Sequence, residues 1–370
     1  MSRIILLVDF DYYYAQVEEV EHPEYKDKPL VVCVYSGRSE DSGAVATANY
    51  KARELGIRAG IPIVFAKKKA DEETTFIPMR KPYYIQLSDK MMDEMRKFSD
   101  KFEQVSVDEA YLDVTEKIGC DYQEAAKLGR ELKQKIKKKF KLTCSIGIGP
   151  NKLIAKMSAG INKPDGMTIT KKEDFKKTFH GMKVSKLHGI GPKIQEVLEQ
   201  NGVKTIGDLA SFDLEILRQL IGENKGKLLH DRANGIDDDS VEERVKQQLS
   251  RLKTLKEDTR DIEKIKPIFY ELSIDVKKAA DNRKVKFKTI STITINSAIQ
   301  TKTRSRTLEE PENTLETIEK VGIELLEELL KENPDEKIRR IGVGISNFIE
   351  LNKNVEKKKN QSGLDKFFKN

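Results

Sequence analysis

Cysteine and histidine are scarce in this chain of 370 residues, which has three of the first and four of the second. Cys33, Cys120 and Cys144 are odd in number, far apart and without a CxxC pair. That argues against a disulfide framework or a zinc site and for free thiols in a reducing compartment. His22, His180, His188 and His230 have no ligand spacing and suit surface or packing roles. No apolar run reaches transmembrane length, and Arg3 is not followed by a cleavable signal pattern. These absences predict a soluble, cytoplasmic protein with no membrane partner.

What is present is charge. Asp, Glu, Lys and Arg make up 35% of the residues against 38% apolar, with a net charge of +7. The length exceeds one comfortable core and predicts about two to four domains. The charge is segregated along the chain. Residues 246–306 hold 16 Lys/Arg against 7 Asp/Glu, whereas residues 307–336 hold 2 against 11.

Two stretches run from β-branched and apolar residues into carboxylates: Ile4 to Asp11, and Val105 to Asp113. Such runs read as buried strands. Carboxylates at a buried strand's end are costly unless paired, hydrogen-bonded or bound to a cation. Adjacent strands would bring Asp9, Asp108 and Glu109 to one point, where a pair of divalent cations is the simplest remedy for their repulsion. Spacing alone does not choose between Asp9 and Asp11, which share a face if the strand continues.

Further along, Tyr12 to Val20 has helical spacing, with Asp11 placed to serve its N-terminal amides. A strand spans Leu30 to Tyr35, and a small-residue segment at 42–53 carries Tyr50 and Arg53 towards Gly56 and Gly60. Pro82 to Phe102 and Tyr122 to Phe140 read as helices, and Leu142 to Gly149 as a strand. The order fits an α/β sheet domain with a helical layer. From about Lys171 short helices alternate with glycines. The turn Gly189-Ile190-Gly191, followed by Lys193, puts backbone amides at a helix start, where a phosphate can sit. Residues 237–246 read as an exposed linker. In 285–296 the alternation puts Val285, Phe287, Ile293 and Ile295 on one face. Lys286, Lys288, Thr292 and Thr294 take the other, and with Arg304 and Arg306 they suggest a phosphate-tracking surface. The tail ends in Gln361, Leu364, Phe367 and Phe368, whose turn spacing suggests a short helix docking in a partner's groove.

Asp9-Phe10-Asp11-Tyr12-Tyr13-Tyr14-Ala15-Gln16-Val17-Glu18, Ser42 to Arg53, Ser106 to Asp113, Asn151 to Lys156 and Asn162-Lys163-Pro164-Asp165-Gly166 together resemble the Y-family translesion DNA polymerases, most closely their archaeal polymerase IV branch. The resemblance covers essentially the whole chain in order. It implies an α/β (α+β) multidomain right hand. A ferredoxin-like palm would take 1–12 and 78–168, small fingers 13–77, a helix-hairpin-helix thumb 169–236, an α+β little finger 247–352, and a tail 353–370. It also implies Asp9, Asp108, Glu109 and the Phe10 carbonyl as ligands of two Mg²⁺ ions, with Asp11 a structural neighbour. Tyr12, Thr47, Tyr50, Arg53 and Lys163 would contact the incoming deoxynucleoside triphosphate, and Tyr14 would be a steric gate against ribose. Val34, Ala44, Ala46 and Gly60 would lie over the nascent base pair. Gly189, Gly191, Lys193, Lys286, Lys288, Arg304 and Arg306 would bind primer–template DNA. The tail resembles the Gln-x-x-Leu-x-x-aromatic-aromatic peptide that binds a sliding clamp. The implied protein is a nucleoid-associated monomer that extends primers with low fidelity and no proofreading. The rival readings are a DNA-binding repair scaffold without chemistry and another palm-type enzyme such as a nucleotidyl cyclase.

Overall fold

The structure is a computed structural model and describes residues 3–243 and 246–350. It divides into two compact units. The first takes the described residues up to 243 apart from 36–40. The second takes 36–40 with 246–350. In chain order the strands of the first unit are β1 (Ile5–Phe10), β2 (Leu30–Tyr35), β3 (Gly43–Ala48), β4 (Thr75–Pro78), β5 (Lys101–Gln104), β6 (Glu109–Asp113), β7 (Cys144–Gly149) and β8 (Met167–Ile169). Those of the second unit are β9 (Gln248–Thr259), β10 (Val285–Asn296), β11 (Thr301–Glu312) and β12 (Ile338–Glu350).

The central sheet has the order β5-β6-β1-β7-β8, with β1 in the middle. Strand β1 is antiparallel to both β6 and β7. The helices Lys81–Arg96 and Tyr122–Phe140 connect β4 to β5 and β6 to β7, the split βαβ arrangement of a ferredoxin-like domain. Both faces of β1 are covered, which explains its unbroken apolar run. Leu6, Val8 and Phe10 face a core with Met91, Met95, Leu132 and Ile136 of the two helices. Ile5 and Leu7 face Ala155 and Ala159 of the helix Lys152–Ala159. That helix lies so close that a Cβ on Gly147 would come within 1.9 Å of the Ala155 carbonyl oxygen.

The helix expected over Pro82 to Phe102 ends at Arg96, and Phe102 lies in β5. A sheet edge has taken the last turn of the apparent helix. A second correction concerns the acidic stretch. Residues 105–108 form the turn of a hairpin, so Asp108 ends the turn and Glu109 opens β6 instead of the pair closing a strand. Because β6 is antiparallel to β1, its start still lies beside the end of β1.

The three-stranded sheet β3-β2-β4 forms its own small core around Val31, Cys33, Val45 and Ile57. Five helices of residues 175–233 pack around Phe179, Leu187, Leu198, Leu217 and Leu229. The segment expected to be a free linker is tied down in part. The Asp237 carboxylate accepts from the Leu153 amide at 2.8 Å, Asn151 donates to the Gly235 carbonyl at 2.9 Å, and Val241 is buried against Ile5 and Leu7. Cys33 and Cys144 are free and buried, and burial pushes their thiols up to about 11 and about 12.

The second unit is a four-stranded antiparallel sheet, β11-β10-β12-β9, with the helices Ile262–Asn282 and Leu315–Glu332 packed on it around Phe269, Phe287, Leu326 and Ile341. Here the expected faces of 285–296 hold only for the first half. The β10–β11 register shifts by three residues between Phe287 and Thr289, and beyond this irregularity the burial alternation of β10 is reversed. Ile290 and Thr292 therefore point to the helices, where the Thr292 hydroxyl donates to the Gly322 carbonyl at 2.7 Å, and Ile293 lies on the other face.

The two helices beneath the central sheet are riveted by one carboxylate. Glu94 is shielded from solvent and receives Lys97 at 2.7 Å, Lys139 at 2.6 Å and Lys135 at 3.2 Å. Hydrogen bonds from Lys139, Lys97 and Lys135 pull its pKa down to about 2. A carboxyl lowered on folding stabilises the fold above its ordinary range and loses that contribution as pH falls through its folded value. Glu94→Gln is therefore expected to lower the urea midpoint at pH 7, with the gap to wild type closing as pH falls from 4.5 towards 2.

Candidate active site

The β1–β6 register sets Asp9 directly opposite Glu109. The Phe10 amide donates to the Asp108 carbonyl at 2.8 Å, which fixes the hairpin end against β1. The turn is shaped by Ser106, whose hydroxyl accepts from the amides of Asp108 at 3.2 Å and Glu109 at 3.0 Å and donates to the Asp108 carboxylate at 2.5 Å. Burial pushes the Asp9 carboxyl up, Lys163 pulls it down, and the charges of Asp108 and Glu109 push it up again. Crowding of like charge is thus built into the site. Lys163 lies 2.6 Å from Asp9, and Lys156, one helical turn beyond Lys152, lies 2.7 Å from Glu109. Among the described residues no three His, Cys, Asp or Glu close around one point to hold a metal ion.

Asp11 goes elsewhere. Strand β1 ends at Phe10, and Tyr12 takes a left-handed backbone, φ 36°, with no side-chain cap on the helix Tyr13–Glu21. Asp11 therefore neither shares Asp9's face nor caps that helix. It is fully buried, and its carboxylate accepts from Thr143 at 2.9 Å, Ser145 at 2.8 Å and the Asp165 amide at 2.8 Å. The last of these bonds holds the loop that carries Lys163. Asp113 is also remote, accepting from Thr115 at the far end of β6.

Beside the carboxylates stands an aromatic and cationic cluster. The Tyr12 ring meets Tyr50 edge-on at 5.3 Å, and the Arg53 guanidinium lies over Tyr50 at 4.9 Å. Tyr12 donates to Glu19 at 3.0 Å, while Asn49 caps the helix Tyr50–Glu54 and also donates to Glu19 at 2.7 Å. Thr47 lies on β3 opposite Val32. Val34 is half-exposed and pairs with Ala44, which bridges to Pro62. Ala46 is half-buried on the same strand. Gly60, with φ 90°, would have nothing within 4 Å of a Cβ, so its backbone conformation, with open space above it, accounts for the glycine. Sequence reasoning missed Lys156, Ser106 and Asn49. A serine two residues before an aspartate is a turn signal that could have pointed to Ser106.

Family models match in three segments. The impB/mucB/samB family covers residues 8–160, its C-terminal domain covers 246–364, and the DNA polymerase-iota thumb domain covers 185–237. DNA polymerase IV of Methanosarcina acetivorans is 43% identical over 98% of this chain and 99% of its own length. That of Saccharolobus solfataricus is 41% identical over 99% of each. Among solved structures, the Y-family DNA polymerase chimera Dbh-Dpo4(243-245)-Dbh superposes with a TM-score of 0.88 at 36% identity, covering 94% of this chain and 99% of that one. The insertion ternary complex of Dbh DNA polymerase gives 0.70 at 36% identity over the same shares. The chain belongs to the Y family of DNA polymerases. It is a DNA-directed DNA polymerase of the translesion class, built as an α+β multidomain protein.

In the thumb-domain segment of this polymerase, Gly191 is the N-cap of the helix Pro192–Gln200 and Lys193 is exposed on its first turn. Gly189 has φ 105° and packs so tightly on the helix Glu223–Ala233 that a Cβ would lie 3.0 Å from Arg232 and 3.3 Å from Leu229. In the second unit Lys286 is exposed and Lys288 half-exposed, but Arg304 and Arg306 are placed differently from expectation. Arg304 meets Glu328 at 3.1 Å and Glu332 at 2.5 Å, while Arg306 meets Glu324 and, at 2.7 Å, Glu328. Alternation along β11 turns these arginines to the acidic helix and leaves Thr301, Thr303, Ser305 and Thr307 exposed on the other face. The clamp-binding residues Gln361, Leu364, Phe367 and Phe368 lie outside the described residues.

Replacing Asp11 by Ala would strand two hydroxyls and one amide in a dry pocket. We expect Asp11→Ala to cost about 3 kcal/mol in urea unfolding. An unchanged midpoint would remove Asp11 as the anchor of the 162–166 loop.

Proposed function

We propose that Asp9, Asp108 and Glu109, with the Phe10 carbonyl, bind two Mg²⁺ ions and that the site joins a deoxynucleotide to a primer 3′-hydroxyl. The observation that carries this reading is the opposition of Asp9 and Glu109 at the end of a buried sheet in a Y-family chain. The donor set is all oxygen, with no histidine or thiol among it, which suits a hard cation such as Mg²⁺. Two such ions would lower the pKa of the primer hydroxyl and neutralise charge on the departing pyrophosphate.

The chain's own residues supply the rest. Lys163 and Arg53 are cations placed to hold the triphosphate and offset charge that grows there in the transition state. Tyr50, met edge-on by Tyr12, gives Arg53 an aromatic wall, and Thr47 on β3 joins them in contacting the triphosphate. Tyr14 sets a ring against the sugar, where a ribose 2′-hydroxyl would clash. Val34, Ala44, Ala46 and Gly60 leave the nascent pair a small-residue roof with few groups able to sense a misfit, which supports low fidelity and tolerance of damaged templates.

Gly189, Gly191 and Lys193 suit a phosphate of the DNA backbone at a helix start. In the second unit Lys286, Lys288 and the exposed hydroxyl row Thr301, Thr303, Ser305 and Thr307 suit backbone contacts, which position DNA without reading its sequence. The palm, fingers, thumb and little-finger boundaries, the monomeric state and clamp binding through 361–370 belong to the same reading.

Primer extension on a primed template with Mg²⁺ tests it. Asp108→Ala is expected to abolish extension, and full extension by this variant would sink the assignment. Tyr14→Ala is expected to admit ribonucleotides. Deleting residues 361–370 should spare distributive synthesis and remove stimulation by a sliding clamp, and a preserved clamp response would discard the tail's role.

A further inference from the structure

We propose that Tyr84 is a positioning residue for sugar selection, held in place by Glu18 and Arg80, and that it sets how strictly Tyr14 rejects a ribonucleotide. The proposal rests on the reading of Tyr14 as the gate.

Tyr14 lies in the first turn of the helix Tyr13–Glu21 and its ring is only partly buried. Its broad face stacks on the ring of Tyr84, with centroids 4.7 Å apart and planes inclined by 26°. Tyr84 belongs to a different helix, Lys81–Arg96, and is completely buried. It is held at both ends. Its hydroxyl donates to Glu18 at 2.5 Å, and its backbone carbonyl accepts from the Tyr13 hydroxyl at 2.8 Å.

Glu18 is itself only 2% exposed, so its charge requires full pairing. Arg80 supplies two parallel bonds of 2.8 Å each, and packs over Tyr83 at 4.7 Å. Glu18 also follows Tyr14 by four residues on the same helix, so both face the same way. The circuit is therefore closed: one helix contributes the gate ring and the anchor, and the second contributes the ring that joins them. Displacing Tyr84 would cost the stack and also strip a donor from a buried carboxylate, which fixes its position.

A gate that works by clash depends on distance. A ring free to tilt by a fraction of an ångström lets a 2′-hydroxyl in, whereas a ring backed by a fixed second ring does not. The bonds that hold Tyr84 run to Glu18 and the Tyr13 hydroxyl and not to Asp9, Asp108, Glu109, Arg53 or Lys163, so its effect falls on the choice of sugar.

The test measures kcat/KM for a deoxynucleotide and the matching ribonucleotide with Tyr84→Leu, Tyr84→Phe and Tyr14→Ala, each first shown to be folded by thermal unfolding. Tyr84→Leu is expected to raise ribonucleotide kcat/KM about tenfold and Tyr84→Phe about threefold, the scales of an aromatic pair and of one hydrogen bond. A gain in ribonucleotide use is not what general loosening of the fold produces. In the Tyr14→Ala background Tyr84→Leu should add nothing, because both act through one ring. Wild-type sugar selectivity in Tyr84→Leu, when Tyr14→Ala has lost it, overturns the proposal. If Tyr84→Leu does not fold, Tyr84→Phe decides by the same criterion. Intact selectivity in Tyr14→Ala overturns the gate reading itself, a distinct result.

Discussion

Like charges crowded at the ends of two central strands are the constraint on which the candidate site depends. Asp9 cannot retreat into water, because β1 is covered on both faces and its backbone is paired on both sides. Antiparallel pairing with β6 then forces Glu109 to stand opposite it. Cations must follow, and the chain provides two from its own helix and loop, Lys156 and Lys163. The rest of the sheet domain holds this arrangement still. Gly147 lets the helix that carries Lys156 lie on the sheet, and Asp11 pins the loop that carries Lys163.

The aromatic flank of the candidate site is organised by a different principle, in which rings are held by hydrogen bonds to carboxylates of one helix. Tyr12 and Tyr50 are fixed through Glu19 and Asn49, and Tyr14 rests on Tyr84 through Glu18. Each ring is thus backed by a carboxylate within the helix Tyr13–Glu21. A short helix placed directly after the acidic strand couples the two halves of the site with little chain between them.

In the second unit, segregated charge does structural work. Lys302, Arg304 and Arg306 of β11 meet Glu336, Glu332, Glu328 and Glu324, so the basic and acidic blocks of the sequence lie against each other. Exposed pairs of this kind contribute little stability each. Their larger consequence is that, over residues 301–307, the opposite face of β11 is a row of hydroxyls.

Much of this was legible in the chain itself. The apolar run ending in acid marked β1, and the helical period of 122–140 matches the helix residue for residue, whereas the Asp108-Glu109 pair stands at a turn and not at the strand's end its pattern suggests. Local pattern suffices there because burial on a regular period is written into composition. What needed three dimensions was every decision made by a neighbour. Asp9 and Asp11 lie two residues apart and would share a face on a continuing strand, and only the end of β1 at Phe10 separates the carboxylate opposite Glu109 from a buried anchor. Beyond the irregularity in the β10–β11 register the faces of Thr292 and Ile293 are exchanged, and the acidic helix pairs with Arg304 and Arg306. Which residues carry charge was decided by the sequence. Which charges remain available to a substrate was decided by packing, because an ion pair or a buried hydrogen bond forms with whatever the fold brings within 3 Å.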